Sequence, residues 1–368
     1  MIKKVSLKNF KCFENMDLEF ERLNLFAGVN GMGKSTLIQA ILLLRQTFEK
    51  NQLQKGENVI LNGHYINLGT IHDISYWYKT EDSIQILIEE SNNQVWQCDL
   101  DIEKHKLIVT SEKKSGVNSS FAGEGFEYIS AERLGPKRYY DNMDREELHN
   151  HQVGIRGENA LACLFEIGSD LKVHSCMKHP SEKSERLDMQ ADAWISEISP
   201  GIKIKAIPYR DVNLMGLRYS VNTLMGEEST NPLNMGFGVS YVLPVIVSLL
   251  KAQEGDLIIV ENPEAHLHPK GQRIMGELIA LAASHGVQII IETHSDHVLN
   301  GVRLAVKEGK IKPEHTQINF FYEWKDEKDE ISPPRHEKTS PRIFSDGSLS
   351  NWPEGFFDEW DKAIDELF

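Results

Sequence analysis

Residues 28–36 read GVNGMGKST and satisfy G-x-x-x-x-G-K-[ST] at every fixed position, a spacing whose chemistry is phosphate binding. Glycines at 31 and 33 let the backbone N–H groups around Asn30 approach phosphate oxygens, and the start of a following helix adds partial positive charge. Lys34 can reach the terminal phosphates, the Ser35 hydroxyl can sit on Mg²⁺, and Thr36 continues the helix beside them. The ligands expected are a nucleoside triphosphate and Mg²⁺. A second group, DLIIVENPEAHLHP at 256–269, sets an acid at the end of an apolar run. Open α/β sheets bring nucleotides to the carboxyl ends of their strands. Glu261 is therefore a candidate Mg²⁺ ligand, with a solvated acidic turn as the plainer alternative. His266, His268, His294 and His297 lack helical i, i+4 pairing or a common zinc spacing, so they do not read as a zinc site.

These residues need elements to hold them. An apolar run at 22–27 reads as a buried strand before the glycine loop, and a helix apolar nearly all round follows at 36–48. A second strand at 257–260 precedes Glu261. A helix at 270–285 carries Ile274, Leu278 and Leu281 on one face and stops at Gly286. A third strand at 287–291 leads to His294, after which Ser295 or Asp296 caps a helix bearing Leu299, Val302 and Val306. Strand, acid, helix, strand and histidine thus arrive in the order a P-loop sheet requires. Ahead of the loop, Val5, Leu7 and Phe10, then Met16, Leu18 and Phe20, alternate as two antiparallel strands. Ile84, Ile86 and Ile88 continue that pattern.

The middle is less regular. Residues 113–125 read as a loop, 158–198 as helical and 203–222 as one or two strands. The run at 127–147 mixes Glu132, Arg133, Lys137 and Arg138 with tyrosines, which could touch nucleic acid, but Asp141, Asp144, Glu146 and Glu147 cancel that field. Arg133 is a candidate structural or phosphate-sensing arginine. The chain is read as α/β: an ATPase lobe with a β subdomain at 1–112, a partly helical insertion at 113–230, a second ATPase lobe at 231–325, and a tail module at 326–368. In the tail, Trp352, Phe356, Phe357 and Trp360 either dock a partner or fold back on the domain.

Composition bounds the function. The 368 residues carry 40 Lys plus Arg against 55 Asp plus Glu, a net charge of −15. Non-specific affinity for polyanions comes from Lys and Arg, so nucleic acid is expected only through a complex. Cys12, Cys98, Cys163 and Cys176 form no C-x-x-C pair and read as reduced thiols of a cytoplasmic protein. No apolar run is long enough for a membrane span, and the opening residues do not read as an export signal.

Residues 7–41, from LKNFKCF through the glycine loop to LIQAI, resemble the opening of the ABC-type ATPases that include SMC, RecF and OLD-like proteins. The resemblance covers about residues 1–45 and 230–310. It implies a P-loop fold of ABC-ATPase type and places Phe10, Lys11 and Phe13 near the nucleotide base, with a core role open for both Phe residues. It puts a γ-phosphate sensor somewhere in 67–73. It makes 234–240, with Gly236, Gly238 and Ser240, the signature turn that reaches a nucleotide held by an opposite subunit, although serine is usual where Gly236 stands; a mere helix start is the alternative. It makes HLHP a turn touching the other subunit, and His294 the switch histidine. The family usually has a water-positioning glutamate at the position of Asn262. An amide cannot take a proton, so either Glu264 is the general base or hydrolysis is slow. The SMC coiled coil is missing, because no heptad pattern is sustained. The stretch after His294 has no D-x-D pair, so no intrinsic nuclease is expected. The tail resembles that of bacterial ATPases with an uncharacterised C-terminal module, often linked to phage defence.

The function expected is an ATPase that dimerises on ATP, or forms a higher oligomer, and regulates an effector protein such as a nuclease. The alternatives are a nucleotide-gated scaffold with negligible hydrolysis and a DNA-repair or DNA-end-sensing ATPase.

Overall fold

The computed structural model describes residues 1–50, 59–78, 82–101, 106–111, 119–141, 143, 152–223, 226–234, 236–325 and 334–367. The chain divides into two compact units, Met1–Gly123 with Thr316–Arg342 and Leu349–Phe368, and Glu124–His315 with Ile343–Ser348.

The first unit opens with β1 (Ile2–Phe10), β2 (Phe13–Glu19), β3 (Leu23–Gly28) and α1 (Lys34–Glu49), followed by β4 (Ser83–Glu90), β5 (Val95–Asp101) and β6 (Lys106–Ser111). An antiparallel sheet runs in the order β2-β1-β4-β5-β6. The alternation seen in sequence holds here: Val5, Leu7, Ile84, Ile86 and Ile88 are buried, while their neighbours in sequence are mostly less so. By contrast β3 and α1 are buried on nearly every side, which is why their sequences are apolar runs without period 2.

The second unit begins with β7 (Phe126–Ile129), β8 (Tyr139–Asp141), α2 (Ala160–Ile167), α3 (Leu187–Ile198), β9 (Ile202–Tyr209), β10 (Leu214–Thr223) and β11 (Gly226–Thr230). It continues through α4 (Gly238–Lys251), β12 (Leu257–Glu261), α5 (Pro269–Ser284), β13 (Gln288–Glu292) and α6 (Asp296–Lys307). Strands β7, β12 and β13 are parallel; β8, β9 and β11 pair antiparallel with β10. The expected helical stretch at 158–198 is two helices. Residues 178–185, KHPSEKSE, contain a proline and offer no apolar face, so the chain between α2 and α3 turns through a 3₁₀ segment at Ser175–Met177. Helices α5 and α6 cross closely at two glycines. A Cβ at Gly276 would lie 2.2 Å from the Val298 oxygen and one at Gly301 2.1 Å from the Arg273 oxygen, so any side chain there would push the helices apart.

The chain then supplies the first unit with β14 (Thr316–Trp324), β15 (Arg335–Thr339) and α7 (Glu359–Leu367). Strand β14 is parallel to β3 and antiparallel to β15. Of the tail aromatics, Phe356 is fully buried, its ring 5.3 Å from those of Phe320 and Trp352. That segment folds back on its own unit.

Candidate nucleotide site

In the first unit the glycine loop joins β3 to α1, and two of its glycines are dictated by what packs against them. A Cβ at Gly28 (φ 139°) would sit 2.3 Å from the Phe321 carbonyl oxygen, and one at Gly33 (φ 100°) 2.3 Å from Phe13 Cζ. Phe10 and Phe13 are core residues, 0% and 1% exposed, and Phe13 is the wall against which the loop is folded. Lys11 Nζ donates to Gln39 Oε1 at 2.5 Å. Asn30 and Gly31 are exposed at the tip. No side chain caps the start of α1, which leaves the first turn to the helix-terminus anion chemistry of such loops. Lys34, 3% exposed, donates from Nζ to the Gly28 and Val29 carbonyl oxygens at 2.8 and 3.0 Å. The ammonium is thus held against the loop it serves. Ser35 and Thr36 follow in the first turn of α1. The 67–73 segment is occupied locally: Asp73 accepts from the Thr70 backbone N–H and hydroxyl, both at 2.7 Å.

In the second unit the candidate acids and the histidine share one strand edge. β12 and β13 are parallel with Glu261 opposite Glu292, so Glu261, Asn262, Glu264 and His294 all fall at or just past the carboxyl ends of adjacent strands. Tyr128 donates its hydroxyl to Glu261 Oε1 at 3.1 Å and the Ala131 N–H donates to Oε2 at 3.2 Å. Burial pushes the Glu261 carboxyl above its usual range, opposed by those two hydrogen bonds and by the Arg133 charge. Asn262 adopts a left-handed conformation, φ 46°, and its N–H donates to the Glu292 oxygen at 2.8 Å. Asparagine tolerates that region better than most residues do, which supplies a backbone reason for an amide here. Glu264, 9% exposed, accepts the His294 N–H on Oε1 at 2.9 Å. The His294 side chain itself is exposed.

Arg133 organises this edge. It is 2% exposed. Its guanidinium donates to the carbonyl oxygens of Glu261, of Asn262 at 2.8 Å, of Tyr241 at 3.2 Å and of Ser130 at 3.1 Å. Burial lowers its pKa to about 10, against the opposing pull of Glu264 and Glu261, and it stays charged at neutral pH. Of the two roles open to it, the structural one is filled. Lys137 and Arg138 remain exposed.

The 236–240 turn is divided. Gly236 is exposed, and Gly238 begins α4 where a Cβ would meet the His266 oxygen at 2.8 Å. Ser240 is 5% exposed, with its hydroxyl 2.7 Å from that of Tyr219. The Ser240 hydroxyl is thus engaged inside the unit. His266, at φ 62°, packs its ring 4.5 Å from that of Tyr241 and 5.5 Å from that of Phe237.

Whether these residues suit Mg²⁺ and its water is decided by two atoms. Asn262 Oδ1 and Glu264 Oε2 are buried without a hydrogen-bond partner among the described residues. Buried polar atoms are normally satisfied, and two orphan acceptors beside a buried carboxylate fit a hydrated divalent cation. On this edge Glu261 would hold the ion, which would supply charge to offset phosphates.

The loop and the strand edge define the class: a mixed α/β P-loop NTPase of ABC-ATPase type with an antiparallel β subdomain. Comparison with known proteins agrees. Residues 1–175 match the model described as AAA ATPase domain, and residues 196–300 the one described as AAA domain, putative AbiEii toxin, Type IV TA system. Residues 311–367 match a protein of unknown function, DUF3696. The OLD nuclease of Thermus scotoductus is 25% identical over 328 residues, 80% of this chain and 59% of that protein, so the chain spans less than two thirds of this relative. An SMC head bound to the C-winged helix domain of ScpA has the same fold, with TM-score 0.53, 14% identity, and 92% of this chain and 97% of that one covered. So does an SMC head with an extended coiled coil, bound to the C-terminal domain of ScpA and derived from Pyrococcus furiosus, with TM-score 0.51, 12% identity, and coverage of 100% and 99%. The chain is thus similar to AAA ATPase domains in two stretches and to an OLD nuclease along most of its length, on a fold shared with SMC heads. Among the described residues no helix is long and apolar enough to cross a membrane.

Proposed function

We propose that the chain binds and hydrolyses ATP with Mg²⁺, dimerises on ATP, and through that closure regulates an effector protein in bacterial anti-phage defence. In this reading the loop of the first unit binds phosphates, and the strand edge of the second carries the acids that hydrolysis needs. Backbone N–H groups from Asn30 to Ser35 bind phosphate oxygens, Lys34 exchanges its carbonyl partners for them, and the Ser35 hydroxyl and the Glu261 carboxylate are each suited to ligate Mg²⁺. Glu264 orients His294 through one carboxylate oxygen and takes a proton from water with the other, because the amide of Asn262 cannot. Gly236 and Gly238 present the signature turn to a nucleotide on the opposite subunit. The observation that carries the reading is the orphan Glu264 Oε2 at the strand edge. The names of the relatives, an OLD nuclease and a putative toxin family, support an effector setting. The cysteines, all free thiols, accord with a cytoplasmic location.

Calorimetry of ATP·Mg²⁺ binding to the wild type and Lys34→Ala, with light scattering with and without ATP, tests binding and dimerisation together. Loss of heat in the variant and an ATP-dependent doubling of mass in the wild type are expected; unchanged affinity in Lys34→Ala would contradict the site. A second reading, a nucleotide-gated scaffold, is favoured by Asn262. Tight binding with turnover orders of magnitude below the ~10 per second typical of enzymes would select it.

A further inference from the structure

We propose that His174, Cys176 and His285 form a site for a thiophilic divalent cation, Zn²⁺ by chemistry, at the end of α5 remote from the nucleotide residues. One ligand atom from each side chain lies within 4.8 Å of the others. His174 Nδ1 is 3.0 Å from Cys176 Sγ, and the His174 and His285 rings stack at 3.5 Å and 17°. The three come from two places. His174 caps the 3₁₀ turn at Ser175–Met177, and its Nδ1 accepts the Cys176 N–H at 3.4 Å. His285 is the residue that ends α5. The Cys176 thiol already reaches that helix end, 3.9 Å from the Leu281 oxygen.

Two imidazoles and a thiolate are a donor set suited to Zn²⁺ and other borderline-soft ions, and unsuited to Mg²⁺. Zinc bonds of about 2.3 Å to sulfur and about 2.0 Å to nitrogen separate tetrahedral ligands by roughly 3.5 Å. The cluster reaches that spacing by splaying the stacked rings and rotating the thiol, with adjustments of about an ångström. His174 is exposed and the other two are half-buried, so the fourth position opens to water. On binding, Cys176 gives up its proton to solvent and coordinates as thiolate. Helix α5 starts at Pro269, just after Glu264 and His268, and its 16 residues put about 24 Å between its ends. The ion would therefore pin the far end of the helix that leads away from the catalytic acid. It would not share the Mg²⁺ site.

The test uses the full chain, nucleotide-free and kept reduced, titrated with Co²⁺ and then Zn²⁺ alone. Expected are one equivalent bound, a sulfur-to-cobalt charge-transfer band that Zn²⁺ abolishes, no such band in Cys176→Ser, and at least tenfold weaker binding in His174→Gln and His285→Gln. A wild type without the band, or a band persisting in Cys176→Ser, overturns the proposal. Lys34→Ala should bind cobalt as the wild type does, so this result stands or falls separately from nucleotide binding.

Discussion

The glycine loop and the β12/β13 edge are built in opposite ways. The loop is one contiguous stretch, and it does its work with backbone groups whose path is set by Phe13 and Phe321 behind Gly33 and Gly28. The edge is assembled from Tyr128, Ala131 and Arg133 on one side and Glu261, Asn262, Glu264 and His294 on the other, residues far apart in the chain. A contiguous backbone site tolerates change in most side chains but none in its glycines. A dispersed side-chain site fails through whichever residue aims the others.

The sharpest way to break the loop half is Gly33→Ala. A Cβ at φ 100° inside the Phe13 ring adds left-handed strain of about 1–2 kcal/mol and overpacking of about 1–3 kcal/mol. ATP affinity should fall by at least a hundredfold in calorimetry, with a lowered Tm. On the other half, Glu264→Gln keeps an oxygen for the His294 N–H and removes only the basic oxygen. Turnover should drop by about 10²–10⁴-fold with nucleotide affinity nearly unchanged; phosphate release in the steady state measures it, and unaltered turnover would remove Glu264 as the base.

Arg133→Ala attacks the scaffold instead of the chemistry. It strands buried carbonyls at about 1–3 kcal/mol each, so thermal unfolding should show a loss of about 3 kcal/mol or more while the loop half stays intact. Arg133→Lys should recover little, since an ammonium cannot span four carbonyls. If both variants unfold like the wild type, the two halves do not differ in the way described.

The smallest effect is electrostatic. Burial raises the Glu261 carboxyl pKa above its unfolded value. Its contribution to stability is therefore present below the unfolded carboxyl range and lost as pH rises through the elevated native value. Without cation, Glu261→Gln should melt slightly higher than the wild type at neutral pH, and the difference should close in acid. The amide can still accept from Ala131 and donate to the Tyr128 hydroxyl. Mg²⁺ should reverse the order at neutral pH, because only the carboxylate repays its burial by binding the ion.

Much of this protein was legible in the chain itself. The loop at 28–36, the strand before Glu261 and the Ser295 cap of α6, whose hydroxyl accepts the Val298 N–H at 3.1 Å, are local patterns. Their physical causes, a backbone that must bend, an apolar run, an orphan helix N–H, act over a few residues. Phe13 as the wall behind Gly33, Arg133 as the brace of the strand edge, Ser240 turned inward to Tyr219, and Cys176 beside His285 were decided by tertiary structure alone. Each depends on which distant surface a side chain meets inside its own unit, and residue spacing along the chain does not encode that distance.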